Sequence, residues 1–288
     1  MTISTRSSAS KDAVSDDRTT LSRMKTSYYY AYCQGDILLT SEGNVPFGDT
    51  PPFDLKPWQQ VTTIETDDRR CVVVRLDEPI VGCGGLRMVP LRKTFSLLSP
   101  KDYQLAGKCA ELVYWDHNSK YCGCCGAPMK WHTPISKHCS ECGKEIWPSL
   151  ATAIIVRVTR CLTNVSSDEE ILLVHANNFR GNHYGLVAGF VETGETLEEC
   201  VQREVWEETH IRVTNIRYFG SQPWPFPCGL MVGFTADYVG GDIRLQREEL
   251  GSGGWYRRDS LPPIPDKASI ARQLIDDWLV KGNEALGL

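Results

Sequence analysis

Glu204, Glu207 and Glu208 are the residues whose types and spacing most directly suggest chemistry. Residues three and four apart lie on one face of an α-helix, so these carboxylates would converge. Their mutual repulsion would weaken the helix, and bound cations would offset that cost. Because oxygen-only ligands favour Mg²⁺ or Mn²⁺, the cluster predicts a divalent-metal site that could neutralise a pyrophosphate and activate a water. The alternative is a solvated acidic face.

The glutamates belong to a longer pattern that includes the start of their helix. Gly189 comes first, Glu195 follows after five intervening residues, and Arg203 follows after seven more, directly before Glu204. Thr196 and Glu199 have the spacing of a capping box, which predicts a helix over about 196–209. The glycine-containing loop before this helix would bring the backbone close to the carboxylates.

A second cluster contains four cysteines. Cys122-x-x-Cys125 is followed, after thirteen residues, by Cys139-x-x-Cys142. Two such pairs supply four thiolates for a tetrahedral Zn²⁺ ion. Because protein would fill all four positions, the site would be structural and would have no open position for chemistry. The alternative is a set of buried thiols or a redox pair, which the second pair of cysteines disfavours.

A third feature is the segment Ser-Gln-Pro-Trp-Pro-Phe-Pro at residues 221–227. Three prolines at alternate positions enforce an extended, stiff backbone. Trp224 and Phe226 offer flat faces on which a base or a nicotinamide ring could stack. The alternative is a rigid loop that covers the core.

Together these motifs resemble the NADH pyrophosphatase branch of the Nudix superfamily, whose members also remove NAD caps from RNA. The pattern from Gly189 to Glu208 is the Nudix box, and residues 221–227 follow it as that branch requires. The resemblance covers about residues 28–280. Three positions depart from it: His210 stands where the family has glycine at the helix end, Gly229 where the motif ends in serine, and Pro134 where related chains can carry a glutamate that contacts substrate.

The resemblance implies a role for each matching residue. It implies that Glu204, Glu207 and Glu208 are catalytic, and that Glu195 and Arg203 form a salt bridge that orients the loop and the helix. The sequence leaves the identity of the general base open, and Glu207 is our candidate. Its metal ligands for Mg²⁺ or Mn²⁺ are Glu204, Glu207, Glu208, Glu249 and the carbonyl of Ala188, and its zinc ligands are Cys122, Cys125, Cys139 and Cys142. Its substrate-binding residues are Arg92, Trp147, Gln222, Pro223, Trp224, Pro225, Phe226, Pro227, Cys228, Gly229 and Ala271. It also implies a homodimer.

The pattern along the chain predicts an α+β protein with a small β-rich N-terminal domain and a zinc ribbon, and the resemblance implies that the remainder is a Nudix α/β/α sandwich. Residues 1–24 contain few large apolar residues and are predicted to be a disordered leader. Short β-type runs at 25–98, a capped helix at 99–120 and the cysteine-rich stretch at 121–148 precede the Nudix domain at 149–288. A last amphipathic helix is predicted at about 266–281.

The bulk properties narrow the class of protein. The chain has 288 residues, a formal net charge of −5 and twelve cysteines. A chain with a net negative charge does not attract nucleic acid over its surface in general. A local basic pocket is still compatible with this charge. No secretory signal and no long apolar run are visible, so we expect a cytoplasmic protein with reduced thiols and no membrane segment.

We therefore predict metal-dependent hydrolysis of the pyrophosphate of NADH or NAD⁺ to nicotinamide mononucleotide and AMP, including removal of NAD caps from RNA. One alternative is a Nudix hydrolase of another nucleoside diphosphate derivative, such as ADP-ribose or a diadenosine polyphosphate. The other is a non-catalytic zinc-ribbon module that binds RNA.

Overall fold

The computed structural model describes residues 26–66, 68–82, 84–161, 163, 168–179 and 181–286. The chain divides into two compact units, one formed by residues 1–149 with 225–228 and the other by 150–224 with 229–288. The units differ from the predicted domains in two places. The helix expected to link domains and the cysteine-rich stretch both belong to the first unit, and so does the short segment 225–228. The predicted leader at 1–24 lies outside the described residues.

The first unit is built on a six-stranded sheet. Its strands are β1 (Ser27–Cys33), β2 (Asp36–Thr40), β3 (Phe47–Gly48), β4 (Val61–Thr66), β5 (Arg69–Arg75) and β6 (Leu86–Pro90). The order is β4-β5-β1-β2-β6, with β3 also paired to β1. β1 runs parallel to β5 and antiparallel to β2 and β3. A 3₁₀ helix, Leu91–Ser96, leads from the sheet to helix α1, Pro100–Asn118.

Helix α1 begins where its sequence predicts. The Ser99 hydroxyl accepts a hydrogen bond from the Asp102 backbone N–H, and Pro100 occupies the first helical position, where no N–H is needed. Apolar residues at helical spacing, Leu105, Ala106 and Cys109, are buried against one face of the sheet. The hydrophobic effect therefore holds α1 on the first sheet.

The cysteine-rich stretch forms a small three-stranded sheet from β7 (Met129–Thr133), β8 (Ser136–Cys139) and β9 (Glu145–Ile146). It is joined to the end of α1 by Lys137, which is 2% exposed. The Lys137 ammonium lies 2.6 Å from Asp116 and donates to the carbonyl and hydroxyl oxygens of Ser119. The indole rings of Trp115 and Trp131 lie 5.2 and 5.4 Å from the nitrogen and 5.3 Å from each other. This buried cation is fully partnered, as burial of a charge requires.

The second unit contains another six-stranded sheet and two helices. Its elements are β10 (Ala151–Cys161), β11 (Glu169–Ala176), β12 (Val187–Phe190), α2 (Leu197–Thr209), β13 (Arg212–Trp224), β14 (Gly229–Gly240), β15 (Leu250–Tyr256) and α3 (Ile270–Leu286). The order is β13-β14-β10-β11-β15, with β12 paired to β10. β10 runs parallel to β14 and antiparallel to β11 and β12.

The alternation of side chains along β10 explains the layers of this unit. Ile154 belongs to a core that contains the apolar face of α2, including Val201 and Val205. The next residue, Ile155, belongs to the opposite core, which contains Leu274 and other residues of α3. Because successive strand residues point to opposite faces, one helix covers each side of the sheet. The predicted α/β/α sandwich is confirmed.

Some element limits differ from the predictions. Helix α3 begins at Ile270 rather than at about 266, and strand β13 extends to Trp224, into the proline-rich segment. The extension follows from pairing, since residues up to Trp224 keep register with β14. Among the described residues, no helix combines the length and apolarity needed to cross a membrane.

Candidate active site and metal centres

Helix α2 carries the three glutamates and is fixed at both ends. Thr196 and Glu199 form the predicted capping box, each side chain accepting from the other residue's backbone N–H. The helix ends at His210, whose backbone is left-handed at φ 59° and ψ 21°. Left-handed backbone disfavours a residue with a Cβ by roughly 1 kcal/mol. The His210 ring lies 5.2 Å from the Trp206 ring, and its Nδ1 is 3.0 Å from the Arg244 carbonyl oxygen.

Glu208 is the most enclosed of the three carboxylates. It is 5% exposed, and its Oε2 atom is buried without a hydrogen-bond partner. Burial raises the pKa of Glu208 to about 8, and the charges of Glu204, Glu249 and Glu207 add to that effect. A buried carboxylate surrounded by other carboxylates and lacking a donor is the environment that a bound cation would stabilise.

Glu204 lies directly against strand β12. A Cβ atom added to Gly189 would fall 1.9 Å from the Glu204 carboxyl group, so only glycine fits at that position. Burial raises the pKa of Glu204, although a hydrogen bond from Arg203 opposes the effect. The glycine thus lets the backbone beside Ala188 approach the carboxylate closely.

Arg203 connects the loop before α2 to the glutamates. Its Nη2 donates to Glu195 at 2.6 Å and to the Phe190 carbonyl at 2.9 Å. Its Nη1 donates to Glu204 at 2.9 Å and to Glu207 at 3.1 Å. The hydrogen bonds from Arg203 and from the Glu192 backbone lower the pKa of Glu195 to about 2. Arg203 therefore orients the acidic cluster, in the way that the resemblance implies.

A cavity of about 310 Å³ opens beside Glu208. Ala188 and Glu249 also line it, together with Asn177 and Phe179. Glu249 is brought there by the loop after β14, because the Gln246 backbone N–H donates to the Glu208 carbonyl at 3.0 Å. The Asn177 backbone N–H donates to the Glu249 carbonyl at 2.7 Å and holds the other side of this loop.

The arrangement fits divalent cations that retain water or phosphate ligands. Helix α2 offers the unpartnered oxygen of Glu208 and the carboxylate of Glu204, and the loop before β15 adds Glu249 beside the same cavity. The carboxylates do not converge tightly by themselves. Mg²⁺ suits such a site because it binds through one or two carboxylates and completes its shell with water and substrate phosphates.

The four cysteines, in contrast, form a closed set. Their Sγ atoms all lie within 4.8 Å of one another, and among the described residues they are the only His, Cys, Asp or Glu group that does so. The Cys122 and Cys142 sulfurs are 3.7 Å apart, and those of Cys125 and Cys139 are 3.4 Å apart. A Zn–S bond of about 2.3 Å in a tetrahedron requires sulfurs about 3.8 Å apart, close to these distances.

The backbone of the cysteine pairs supports thiolates. The Cys124 N–H lies 3.4 Å from the Cys122 sulfur, and the Cys142 N–H lies 3.5 Å from the Cys139 sulfur. Backbone N–H groups of Cys142 and Glu141 lower the pKa of Cys139 to about 6. The pKa of Cys122 is also lowered, whereas contacts with the other thiols raise the pKa of Cys125 and of Cys142. All four would bind a metal as thiolates.

The predicted substrate-binding residues are distributed over both units. Gln222 uses its amide to hold the start of α3, donating to the Ala268 carbonyl and accepting from the Ile270 N–H. Ala271 is 9% exposed and packs in the core under α3.

Other members of that set lie in the first unit. Phe226 packs against the core under α1, and the Arg92 guanidinium lies 5.5 Å from its ring centroid. Pro225, Phe226 and Pro227 line a cavity of that unit rather than the cavity beside Glu208. Trp147, also in the first unit, is 54% exposed.

Gly229, the position that departs from the family motif, lies at a close approach between strands. A Cβ atom added there would be 3.2 Å from the Ala151 carbonyl oxygen and 3.3 Å from that of Trp224. A serine would therefore require the neighbouring backbone to shift by a few tenths of an ångström. The departure removes a hydroxyl and relieves this contact.

The structure adds residues that the sequence reasoning missed. Phe190 follows Gly189 at the end of β12 and is 66% exposed, although it is a large aromatic residue. Asn177 and Phe179 line the cavity beside Glu208. Phe190 could have been found from the sequence, because it lies inside the Nudix box pattern, directly after Gly189. Asn177 and Phe179 carry no sequence signal, because they reach the cavity through the loop after β11.

The fold and the carboxylate cluster define a Nudix domain, and the NUDIX domain model matches residues 155–278. The NAD-capped RNA hydrolase NudC of Klebsiella pneumoniae is 40% identical over 238 residues, which cover 82% of this chain and 86% of that protein. NudC of Pectobacterium atrosepticum is 45% identical over 179 residues, or 62% of this chain and 66% of that protein. A Nudix hydrolase structure from Nitrosomonas europaea covers 56% of this chain and 91% of its own at 21% identity, with a TM-score of 0.44.

The chain belongs to the NudC family of Nudix proteins. The match with the Pectobacterium protein spans just under two thirds of that protein's length.

Proposed function

We propose that this protein hydrolyses the pyrophosphate of NADH or NAD⁺ to nicotinamide mononucleotide and AMP, and that it also removes NAD caps from RNA. The observation that carries the proposal is the buried Glu208 carboxylate, which has an oxygen without a partner and lies beside Glu204 and Glu249. The relatives named as NAD-capped RNA hydrolases support the choice of substrate.

The roles of the acidic residues follow from their positions. Glu204, Glu208 and Glu249, with the carbonyl of Ala188, would hold the divalent cations. When bound, Mg²⁺ or Mn²⁺ would neutralise pyrophosphate charge and lower the pKa of a water. Exposed Glu207 is the candidate to receive the proton of the attacking water, and Arg203 at 3.1 Å orients it.

The four cysteines would hold one structural zinc ion, because the tetrahedral set leaves no position open for substrate. We also propose that the exposed Phe190 ring stacks on the base or nicotinamide of the dinucleotide, since it stands beside the Gly189 cradle. The motif from Gln222 to Gly229, with Arg92, Trp147 and Ala271, stays a prediction for the same ligand. A homodimer and a cytoplasmic setting, where thiolates remain reduced, complete the proposal.

A second candidate is hydrolysis of another nucleoside diphosphate derivative, such as ADP-ribose. Gly229 favours it, because the hydroxyl expected at that position of the family motif is missing. The non-catalytic RNA-binding module is the third reading. The intact set of Glu204, Glu207 and Glu208 disfavours it.

The test incubates the purified protein with NADH, NAD-capped RNA or ADP-ribose, with Mg²⁺ or Mn²⁺, and resolves the products by chromatography. Glu208→Gln should lower kcat by about 100- to 1,000-fold, since metal-assisted charge stabilisation contributes several kcal/mol to the transition state. Glu198→Gln is the matched control, because Glu198 is exposed in the first turn of the same helix. Cleavage of ADP-ribose alone would refute the NAD assignment, and cleavage of nothing would favour the binding module.

A further inference from the structure

Two neighbouring cavities of the first unit lie along α1. Their volumes are about 540 and about 160 Å³. Arg75, Asp77, Val113 and His117 line both, so the two cavities share a wall. We call the pair the α1 groove.

The larger cavity presents apolar and aromatic surface. Leu76, Leu91 and Ala110 line it, together with the rings of Tyr114 and Phe226. Tyr114 is 41% exposed although it is a large aromatic residue. Small-molecule sites commonly have volumes of about 300–1,000 Å³ and apolar walls with a few polar groups. The larger cavity therefore has the size and lining for a flat ring system.

The smaller cavity also has an aromatic wall. Trp58 lines it and is 69% exposed. The Trp58 indole is held in place, because its Nε1 donates to the Asp77 carboxylate at 2.8 Å. Lys120, which is exposed at the end of α1, lines the same cavity. Each half of the α1 groove thus pairs an aromatic side chain with a nearby cation.

The wall that the cavities share contains one cation, Arg75, and one carboxylate, Asp77. Arg75 donates through one nitrogen to the His117 ring, 2.6 Å from Nδ1, and a guanidinium has further donors for an anion. Burial, followed by the charges of Arg75 and Lys120, lowers the pKa of His117, so the ring acts as a neutral acceptor.

The carboxylates nearby are already engaged. Asp77 accepts from Trp58, and Asp116 is paired with the buried Lys137 at 2.6 Å. Arg75 lines both cavities, and the guanidinium nitrogens that do not contact His117 can donate to an oxyanion.

We propose that the α1 groove binds a dinucleotide step of single-stranded RNA, with its phosphate at Arg75 and one base in each flanking cavity. Sequence-tolerant binding of single strands combines cations along the backbone with aromatic side chains that stack on bases. The order of aromatic, cationic and aromatic surface in the groove matches the order of base, phosphate and base. The inference rests on the proposed function, in which the RNA body follows the NAD cap.

The test measures fluorescence anisotropy of an uncapped, labelled single-stranded RNA oligonucleotide with the full chain. Arg75→Gln should weaken binding about tenfold and lower the slope of log K against log salt by about 1, because one charged phosphate contact is lost. Arg87→Gln is the matched control, since Arg87 is exposed on β6 and lines neither cavity. Trp58→Ala should weaken binding about fivefold or more through lost stacking.

Equal weakening by Arg75→Gln and Arg87→Gln would overturn the proposal, because binding would then reflect general surface charge. Wild-type affinity of Arg75→Gln would overturn it as well. Failure of the wild-type protein to bind any RNA would overturn it and would point to a protein as the occupant of the groove.

Steady-state kinetics with NAD-capped RNA and with free NADH distinguish a failure of this inference from a failure of the proposed function. Arg75→Gln should raise KM for NAD-capped RNA by the factor seen in binding and leave hydrolysis of free NADH unchanged. A thermal melt at the wild-type temperature shows that the variant is folded. If the wild-type protein fails to cut NADH, the proposed function fails, while the RNA-binding measurement still decides the role of the groove. An equal loss on both substrates would overturn the inference.

Discussion

The two candidate metal-binding clusters of this chain differ in construction. The four cysteines of the first unit come from two short turns, and their sulfurs already lie within 4.8 Å of one another. The carboxylates of the second unit come from α2 and from the loop before β15, with a backbone carbonyl of β12 beside them. Local backbone geometry brings the four sulfurs together. The carboxylates leave coordination positions open, and their like charges repel one another.

This difference follows from what each cluster must do. A structural ion contributes to folding and needs every coordination position filled by protein. A catalytic cation must keep positions for water and phosphate, so the protein supplies an incomplete shell. Without a metal, this incomplete shell leaves a buried Glu208 oxygen that has no hydrogen-bond partner.

The largest expected effect concerns the closed cluster. Cys139→Ser should abolish zinc binding and unfold the segment from β7 to β9, because structural zinc contributes about 10–16 kcal/mol in small zinc modules. Zinc content by mass spectrometry and the near-ultraviolet circular dichroism of Trp115 and Trp131 would report it. Cys124→Ser, which changes an exposed neighbour, is the control. Retention of one zinc ion by the Cys139→Ser protein would contradict the four-cysteine site.

The contact that holds the cysteine-rich stretch on α1 should be the next most sensitive. Lys137→Met removes a buried cation and leaves Asp116 uncompensated, which should lower the free energy of unfolding by about 3–5 kcal/mol. Chemical denaturation at saturating zinc would measure it. Lys130→Met, at an exposed position of β7, should change little. Equal effects of the two substitutions would show that the buried Lys137–Asp116 pair contributes no more to the free energy of unfolding than an exposed lysine does.

For the carboxylate cluster we expect the opposite effect on stability: without bound metal, replacing Glu208 should stabilise the protein. Since the pKa of Glu208 is raised to about 8 in the folded protein from the reference 4.5, folding favours the protonated form. The unfolded chain releases this proton near pH 4.5, so the free energy of unfolding falls as pH rises to about 8 and then levels. Glu208→Gln should remove this decline and stabilise the Mg²⁺-free protein by a few kcal/mol at neutral pH.

Thermal melts of wild type and Glu208→Gln between pH 5 and 9, without added Mg²⁺ and with zinc content checked, would test this expectation. Added Mg²⁺ should raise the melting temperature of the wild type much more than that of the variant. A wild-type curve that stays parallel to the variant curve at every pH would show that Glu208 carries no uncompensated charge.

The smallest effect is expected at the end of α2. His210→Gly should raise the free energy of unfolding by at most about 1 kcal/mol, because glycine adopts φ 59° without the Cβ penalty. The loss of the ring contact with Trp206 works against this gain. Denaturation curves would measure the balance, and activity on NADH should be unchanged. A large loss of activity would show that the His210 ring, and not only its backbone, positions the glutamates.

Several features were predictable from the sequence because they depend on neighbours along the chain. The capping box at Thr196, the shared face of Glu204 and Glu208, and the cysteine spacing are all local patterns. The layered sandwich was also predictable, since alternating strands mixed with two amphipathic helices leave few ways to bury both faces of a sheet.

Other features were not predictable from spacing. The Gln222 amide contacts the start of α3, forty-eight residues away in sequence. Phe226 packs against the core under α1. Such contacts join segments that are distant along the chain, and residue type alone does not determine which of several possible partners a side chain contacts.

The sequence by itself determined the chemistry that each cluster can perform, because thiolates and carboxylates have fixed ligand preferences and their spacing fixes which of them share a turn or a helix face. Tertiary structure decided which carboxylate is buried, which glycine lets the backbone reach Glu204, and how Arg75 and Trp58 come to line one groove. Burial and close approach are properties of packed neighbours, and those neighbours become adjacent only when the sheets form.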